Sequence, residues 1–501
     1  MSLLLFVSSV QATDTNDTAD IISENDDVPI SSAEVAVDGQ SLASQEDSPV
    51  LALNDENQGV SSENDNPIST RGTDDAKNII GSTNNEKVEK VISASDNVVS
   101  ASSSKPKTKT FSDLADKINH AKSKSTLVLY GKYKYNPKTD GNYKWGIDIS
   151  KHLKIIGKKS CVIDGSGKAC LFRISDYYKV TFKEITFKNG LSYWSNGGAI
   201  FANSKSKVVI NKCVFKNNKA YQANGGAIAT FDKVTLKIYN SKFYYNKAIR
   251  HSSQPWPKEQ RGMGGAIHVY AGSKLVLQNS VFKKNSAYLT IILVMSNANG
   301  QIKTSNAIVK NCQFERNTAN INGVFYLDEY GKGTFINCKF KNNVAKKDGG
   351  TLILDASKRA VVKNCRFEGN TGYVGAAIDL FKFNNMISHA SIVGCTFVKN
   401  KAKESGGAIY SDLGSLKITS SKFISNKATT SGGAIWTSGA LKLKKVTFKK
   451  NSAKNGGAIL LKNRNSIYAS GVKYSGNKAW ENGPNLLGLK GVSISSVKIL
   501  H

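Results

Sequence analysis

Phe423-Ile424-Ser425-Asn426-Lys427-Ala428-Thr429-Thr430-Ser431-Gly432-Gly433-Ala434-Ile435 decides the fold of this 501-residue chain, because it is one copy of a unit the chain repeats. The second half, Gly-Gly-Ala-Ile, recurs intact at Gly197–Ile200, Gly225–Ile228, Gly264–Ile267, Gly406–Ile409 and Gly456–Ile459. Worn copies stand at Gly323–Phe325, Gly349–Leu352 and Gly375–Ile378. The first half, F-x-x-N, runs from Phe215/Asn218 through Phe243/Asn246, Phe282/Asn285, Phe314/Asn317, Phe340/Asn343, Phe367/Asn370 and Phe397/Asn400 to Phe448/Asn451, and closes at Tyr474/Asn477. Self-similarity at such a period means a solenoid, each repeat burying its apolar face only against its neighbours.

Between the turns the apolar residues sit two apart, as in Leu275/Leu277, Leu416/Ile418 and Leu441/Leu443. Period two is a strand signal. Short strands joined by Gly, Asn and Ser turns, one coil per repeat, predict an all-β parallel β-helix. Phe and Ile then point inward and stack from coil to coil. The paired glycines fit a turn needing φ > 0 or a close backbone approach. The Asn of F-x-x-N fits a left-handed turn or a ladder of stacked amides along the axis. Thr110–Ala121 reads as an amphipathic helix capping the open N-terminal end. Thr110-x-x-Asp113 has the form of a capping box, and Phe111, Leu114, Ala115 and Ile118 share one face.

F-x-x-N with Gly-Gly-Ala-Ile resembles the repeats of polymorphic outer-membrane proteins. Residues 106–501 as a whole are similar to the secreted adhesin-like β-helix proteins of methanogenic archaea. The opening segment shares that likeness through Thr110-Phe111-Ser112-Asp113-Leu114, Leu127–Tyr130, Ile155-Ile156-Gly157, Val162-Ile163-Asp164-Gly165 and Val180-Thr181-Phe182. The resemblance implies a right-handed, pectin-lyase-like coil and a role in adhesion at the cell surface.

Composition divides the chain. Residues 1–12 read as a signal peptide with a truncated start, ending in the small-residue pattern Val10-Gln11-Ala12. Residues 13–105 are rich in Ser, Asn, Asp and Glu and read as a disordered acidic leader. Residues 106–185 form the capping helix and first coils, and residues 186–501 the repeat β-helix. The formal charge of the chain is +31. Residues 1–100 hold 19 acids against four bases, so the body is more basic still. No run is long and apolar enough to span a bilayer, and Leu289–Met295 reads as a buried strand.

Basic residues recur just before the core aromatic, at Lys242, Lys339, Arg366, Lys422 and Lys473, and again one and two places after it. Such rows suit an acidic wall polymer, an acidic glycan or, non-specifically, nucleic acid. They equally suit a lysine-rich composition with solvated charge. Aromatics fall at two outward sets. Trp194, Tyr221, Trp256 and Tyr288 lie in the turns before Gly-Gly, and Tyr410 and Trp436 follow the inward Ile. Flat rings on a polar surface stack on sugars or partners, or else cover apolar neighbours.

Signals of chemistry are weak. The acids do not repeat as facing pairs, which glycoside hydrolysis needs. No metal-ligand spacing and no phosphate-binding glycine pattern occurs, so neither metal nor cofactor is expected. Asp164-Gly165-Ser166-Gly167 reads as a turn. Cys213, Cys312, Cys338, Cys365 and Cys395 share one small inward slot and read as free core thiols, while Cys161 and Cys170 flank a turn and form the one plausible pair. The sequence therefore favours a non-catalytic glycan- or envelope-binding protein. A lyase using Lys and Arg on an acidic glycan, and a purely structural spacer, are the alternatives.

Overall fold

The computed structural model describes residues 108–250, 262–298, 301–328, 330–355, 359–381, 388–412, 414–462 and 467–488. Residues 1–105, with the signal peptide and acidic leader read from sequence, lie outside the described residues, as does Trp256.

From Lys179 on each coil is four short strands, whereas in the first two coils one long strand, Ser125–Lys134 or Leu153–Asp164, takes the place of the first two and no third strand follows. In one of the four-strand coils the strands are Thr235–Tyr239, Lys242–Tyr244, Lys247–Ile249 and Ile267–Val269. In these coils the first two strands build one long parallel sheet, the third a short sheet, and the fourth a sheet that follows Gly-Gly. Thirteen strands stack in that last sheet, so about a dozen coils follow one another. Register is exact from coil to coil: Phe243 pairs with Phe215 and Phe282, and Ile267 with Ile228 and Ile292.

The interior repeats the sequence motif residue for residue. Rings from Phe187 to Tyr474 stack in one column, neighbouring centroids 4.5–5.4 Å apart and nearly parallel. Beside it runs an amide ladder. Asn370 Nδ2 donates to Asn400 Oδ1 at 3.0 Å and to the Phe340 carbonyl at 3.0 Å, while its own Oδ1 accepts the Asn343 amide and backbone N–H, both at 3.0 Å. The pattern holds from Asn218 to Asn477. These asparagines are buried, so every amide hydrogen is spent inside the coil, as a buried polar group requires.

The left-handed turn belongs to a different residue. It falls two places after the core aromatic, at Asn217, Tyr245, Arg316, Asn342 and Lys399 among others, so the motif asparagine is the ladder and not the turn. Each glycine of Gly-Gly has its own task. Gly406 takes φ +65, whereas a Cβ on Gly407 would run into the carbonyl oxygen of Gly433 in the next coil.

The helix Phe111–His120 covers the first coil. Thr110 and Asp113 close the capping box, and Phe111, Leu114, Ala115 and Ile118 are all buried. The Asp140 carboxylate accepts the Phe111 and Ser112 N–H groups at 3.1 Å and fixes the helix start. All seven cysteines are buried free thiols, so the Cys161–Cys170 pairing is not formed. Cys338 and Cys365 sit in adjacent coils, the Cys338 N–H donating to Cys365 Sγ at 3.4 Å. Burial pushes the Cys213 and Cys312 thiols up to about 12, which keeps them protonated and inert. Ile292–Val294, within the apolar run Leu289–Met295, is a buried strand, and no helix among the described residues is long and apolar enough to cross a membrane.

Candidate functional site

The aromatic residues selected from sequence separate into two places. Tyr221 ends a strand of the short sheet and Trp194 directly follows the neighbouring strand Leu191–Tyr193, its N–H donating to the Tyr221 carbonyl at 3.2 Å. Tyr193, in the same turn, stacks on Tyr221 with centroids 4.9 Å apart, and meets Trp194 edge-on at 5.6 Å. Tyr193 and Trp194 are 42% and 45% exposed. Together with Tyr245, Lys134 and Lys219, these tyrosines line a groove of about 800 Å³. Tyr193 also borders a second hollow with Trp145, Lys144 and Lys168, which extends the aromatic wall. Strand direction explains the wall. In Lys219-Ala220-Tyr221 the small Ala220 points inward and its neighbours point out, so residues at one position of successive coils form an outward row.

Asp164 forms part of the groove lining. It accepts the Asn189 side-chain amide at 2.9 Å and the Ser166 N–H at 3.0 Å, and pairs with Lys132 and Lys188 at 3.4 Å each. Burial alone would raise its pKa. The two hydrogen bonds and two lysines outweigh burial and hold the carboxyl below its ordinary value. Asp164-Gly165-Ser166-Gly167 is the turn expected, and its aspartate anchors the groove wall as an anion.

Tyr288 is further along, two coils beyond Tyr221, and is already engaged. The Arg250 guanidinium lies 4.6 Å from its ring centroid and donates to its hydroxyl at 2.8 Å.

Tyr410 and Trp436 are on the other side of the coil, in the sheet that follows Gly-Gly. They stack on each other at 4.2 Å, and Trp436 is only 7% exposed. Most of that outward row is buried, Tyr410 being half-buried, and the burial of Trp436 corrects the expectation of an open ring there. Met263, Leu289 and Met295 pack around Leu293, Tyr326 and Ile353 in the same sheet. Asp379 lies in that row between Ile353 and Tyr410. It is 2% exposed, and its Oδ1 has no hydrogen-bond partner. Burial, with Asp348, Asp355 and Asp412 nearby, raises its pKa well above that of an ordinary carboxyl and favours the neutral form. Asp355 accepts the Tyr326 hydroxyl at 2.6 Å, and Asp412 accepts the Ser438 hydroxyl at 2.6 Å. A perturbed acid is often a functional signal. Here the acid is itself enclosed rather than facing solvent. His268, in the same row, is also buried, and desolvation lowers its pKa to about 4. No group of His, Cys, Asp and Glu among the described residues could hold a metal ion.

Lys242, Lys339, Arg366, Lys422 and Lys473 all occupy one column on the long sheet and are exposed. Only Lys339 and Arg366 are direct neighbours; Val281, Gln313, Thr396 and Thr447 separate the rest. Acids break the charge further. Glu368 pairs with Arg366 at 2.8 Å and Lys341 at 3.4 Å, and Glu315 with Lys283 at 3.2 Å. Both glutamates stand one place after the core aromatic, in the position that the repeat pattern marks as basic.

A family described as the right handed beta helix region matches residues 159–353, 258–423 and 325–453, together more than half of the chain. A repeat described as the Chlamydia polymorphic membrane protein repeat matches residues 445–462. Among solved structures, a PL6 alginate lyase in complex with a trisaccharide is 12% identical with a TM-score of 0.32, covering 70% of this chain and 60% of the lyase. PfbA, a surface adhesin of Streptococcus pneumoniae, is 10% identical with a TM-score of 0.33, covering 75% of this chain and 88% of the adhesin. No curated protein matches the chain. With that family spanning residues 159–453 and the repeat-by-repeat coil traced above, the chain belongs to the right-handed β-helix family.

Proposed function

We propose that this protein is an adhesin-like, secreted or cell-surface β-helix that binds glycans or acidic envelope polymers without catalysis. The observation that carries the reading is the open groove of Tyr193, Tyr221 and Tyr245 with Lys134 and Lys219 beside them. Rings in a row along the solenoid axis present a wall of apolar edges and hydroxyls to a sugar chain, and the lysines add attraction for acidic ones. The polymorphic membrane protein repeat at residues 445–462 supports a surface setting. The enclosed position of Asp379 supports binding over hydrolysis, since a sugar would have to reach it.

The test is a glycan array with the full chain, followed by product analysis on every ligand retained. Retention of intact glycans, lost in the Tyr193→Ala/Tyr221→Ala variant, is the expected result. Unsaturated sugar products would place the protein among lyases. No retention on any glycan would leave the spacer role.

A further inference from the structure

The first four coils carry a second groove, on the long sheet and built of different residues. Lys124, His152, Lys154, Tyr177, Lys179 and Lys207 line a hollow of about 550 Å³. The backbone fixes this grouping. The Lys124 N–H donates to the His152 carbonyl at 2.6 Å, and the Lys179 N–H donates to His152 Nδ1 at 3.0 Å. His152 Nδ1 is thereby an acceptor, which leaves Nε2 to carry the proton. Tyr178 packs edge-on against the imidazole at 5.4 Å and fixes its plane. Lys179 and Lys207 are directly paired across adjacent strands, which puts their backbones about 5 Å apart.

Like charges in that relation repel and cost stability. Elsewhere on the long sheet acids interleave with the bases, as Glu315 and Glu368 do. Here they do not. No ion pair among the described residues involves Lys124, Lys154, Lys179 or Lys207. Asp176, next to Tyr177 in sequence, is not part of the lining. Four uncompensated cations and an N–H donor thus face one hollow at the pitch of the coil.

We propose that this groove binds a linear polyanionic glycan, one bearing a carboxylate or sulfate on successive sugars. A chain lying along the solenoid axis would meet one cation per coil, which an isolated small anion would not use. Single-stranded nucleic acid fits less well, because such sites add free aromatic platforms for the bases. The one exposed ring here, Tyr177, already has Lys205 Nζ over it at 4.9 Å and bonded to its hydroxyl at 3.1 Å. The site shares no residue with the tyrosine groove and stands if that one fails.

The experiment compares three full-length proteins on polygalacturonate, dextran sulfate, neutral dextran and a single-stranded oligodeoxynucleotide across a salt series. They are the wild type, Lys154→Gln/Lys179→Gln/Lys207→Gln, and a control with the same charge removed far along the coil, Lys417→Gln/Lys442→Gln/Lys449→Gln. The wild type should bind at least one acidic glycan and not dextran. The groove variant should lose at least about tenfold at physiological salt, and its slope of log affinity against log salt should be shallower by about 2, from three lost contacts. The control should lose less than about threefold. A matched melting temperature in the groove variant keeps folding out of the comparison. Equal losses in both variants would reduce the effect to net charge and overturn the proposal. So would absence of wild-type binding to both acidic glycans, or a groove variant that loses the oligonucleotide alone. Tyr193→Ala/Tyr221→Ala, run beside them, reports separately on the tyrosine groove.

Discussion

Asp164 and Asp379 are two buried carboxylates on one solenoid, and their surroundings shift their pKa values in opposite directions. Asp164, beside the open tyrosine groove, has two hydrogen-bond donors and two lysines and remains an anion. Asp379, on the sheet that follows Gly-Gly, has acids for neighbours and an Oδ1 with no donor, which pushes its pKa well up and favours the neutral form. The same contrast holds for the rings around them. Tyr193 and Trp194 face solvent, whereas Trp436 and Tyr326 are buried. A regular coil therefore does not impose a regular surface. The interior is dictated by stacking, and each outward face by whatever the local turns supply.

That separation can be broken most directly from inside. Phe367→Ala, in the coil that carries Asp379, and Phe215→Ala, in the coil that carries Tyr221, should each cost about 3–5 kcal/mol, because both remove one ring from the same column. Denaturant melts would measure it. A large cost at one and none at the other would show that the interior is not shared. On the surface the two faces should part company: Trp436→Ala should cost about 3 kcal/mol as a buried ring, and Trp194→Ala no more than about 0.5 kcal/mol. Equal costs would undo the distinction between closed and open.

The pH dependence should carry opposite signs. The folded-state pKa of Asp164 lies below the unfolded value of about 3.9, so its contribution is present above that value and is lost as pH falls through the folded pKa. That of Asp379 lies above the unfolded value. No stability is lost below about pH 3.9, and up to about 1.4 kcal/mol is lost per pH unit as pH rises towards the folded pKa. Relative to wild type, Asp379→Asn should therefore gain stability between pH 3 and pH 8, and Asp164→Asn should lose it. Melting temperatures at those two values decide, and parallel pH profiles would contradict both assignments. The smallest effect belongs to the lysine column. Lys422→Gln should change stability by less than about 0.5 kcal/mol, and Glu368→Gln by about 0.2–1 kcal/mol, reduced further in high salt.

The interior was legible because each of its positions recurs. Phe, Asn and the two glycines each perform one task many times, and period two gives the direction of every side chain. The helical cap was legible for a similar reason, since Thr110 and Asp113 act within one turn. The burial of Trp436 was not legible. Strand alternation says that a side chain leaves the coil, and says nothing of which turns close over it. The engagement of Tyr288 by Arg250 was hidden because the two residues lie 38 apart, across an insertion. Glu315 and Glu368 could have been found, since they occupy a position where lysines recur. The lysine groove could not be lined up from sequence. Lys124, Lys154, Lys179 and Lys207 fall in the first coils, before the repeat supplies a register, and only the strand pairing brings them together.

The most direct test of the proposed division between a binding face and a covered one is glycan retention by two double variants measured side by side. Tyr193→Ala/Tyr221→Ala should lose at least about tenfold in affinity for the glycans the wild type retains, at an unchanged melting temperature, as removal of the ring wall implies. Tyr410→Ala/Trp436→Ala should melt earlier and, at a temperature where it is folded, bind those glycans as the wild type does. Undiminished binding by the first variant, or loss of binding by the folded second one, would contradict the account.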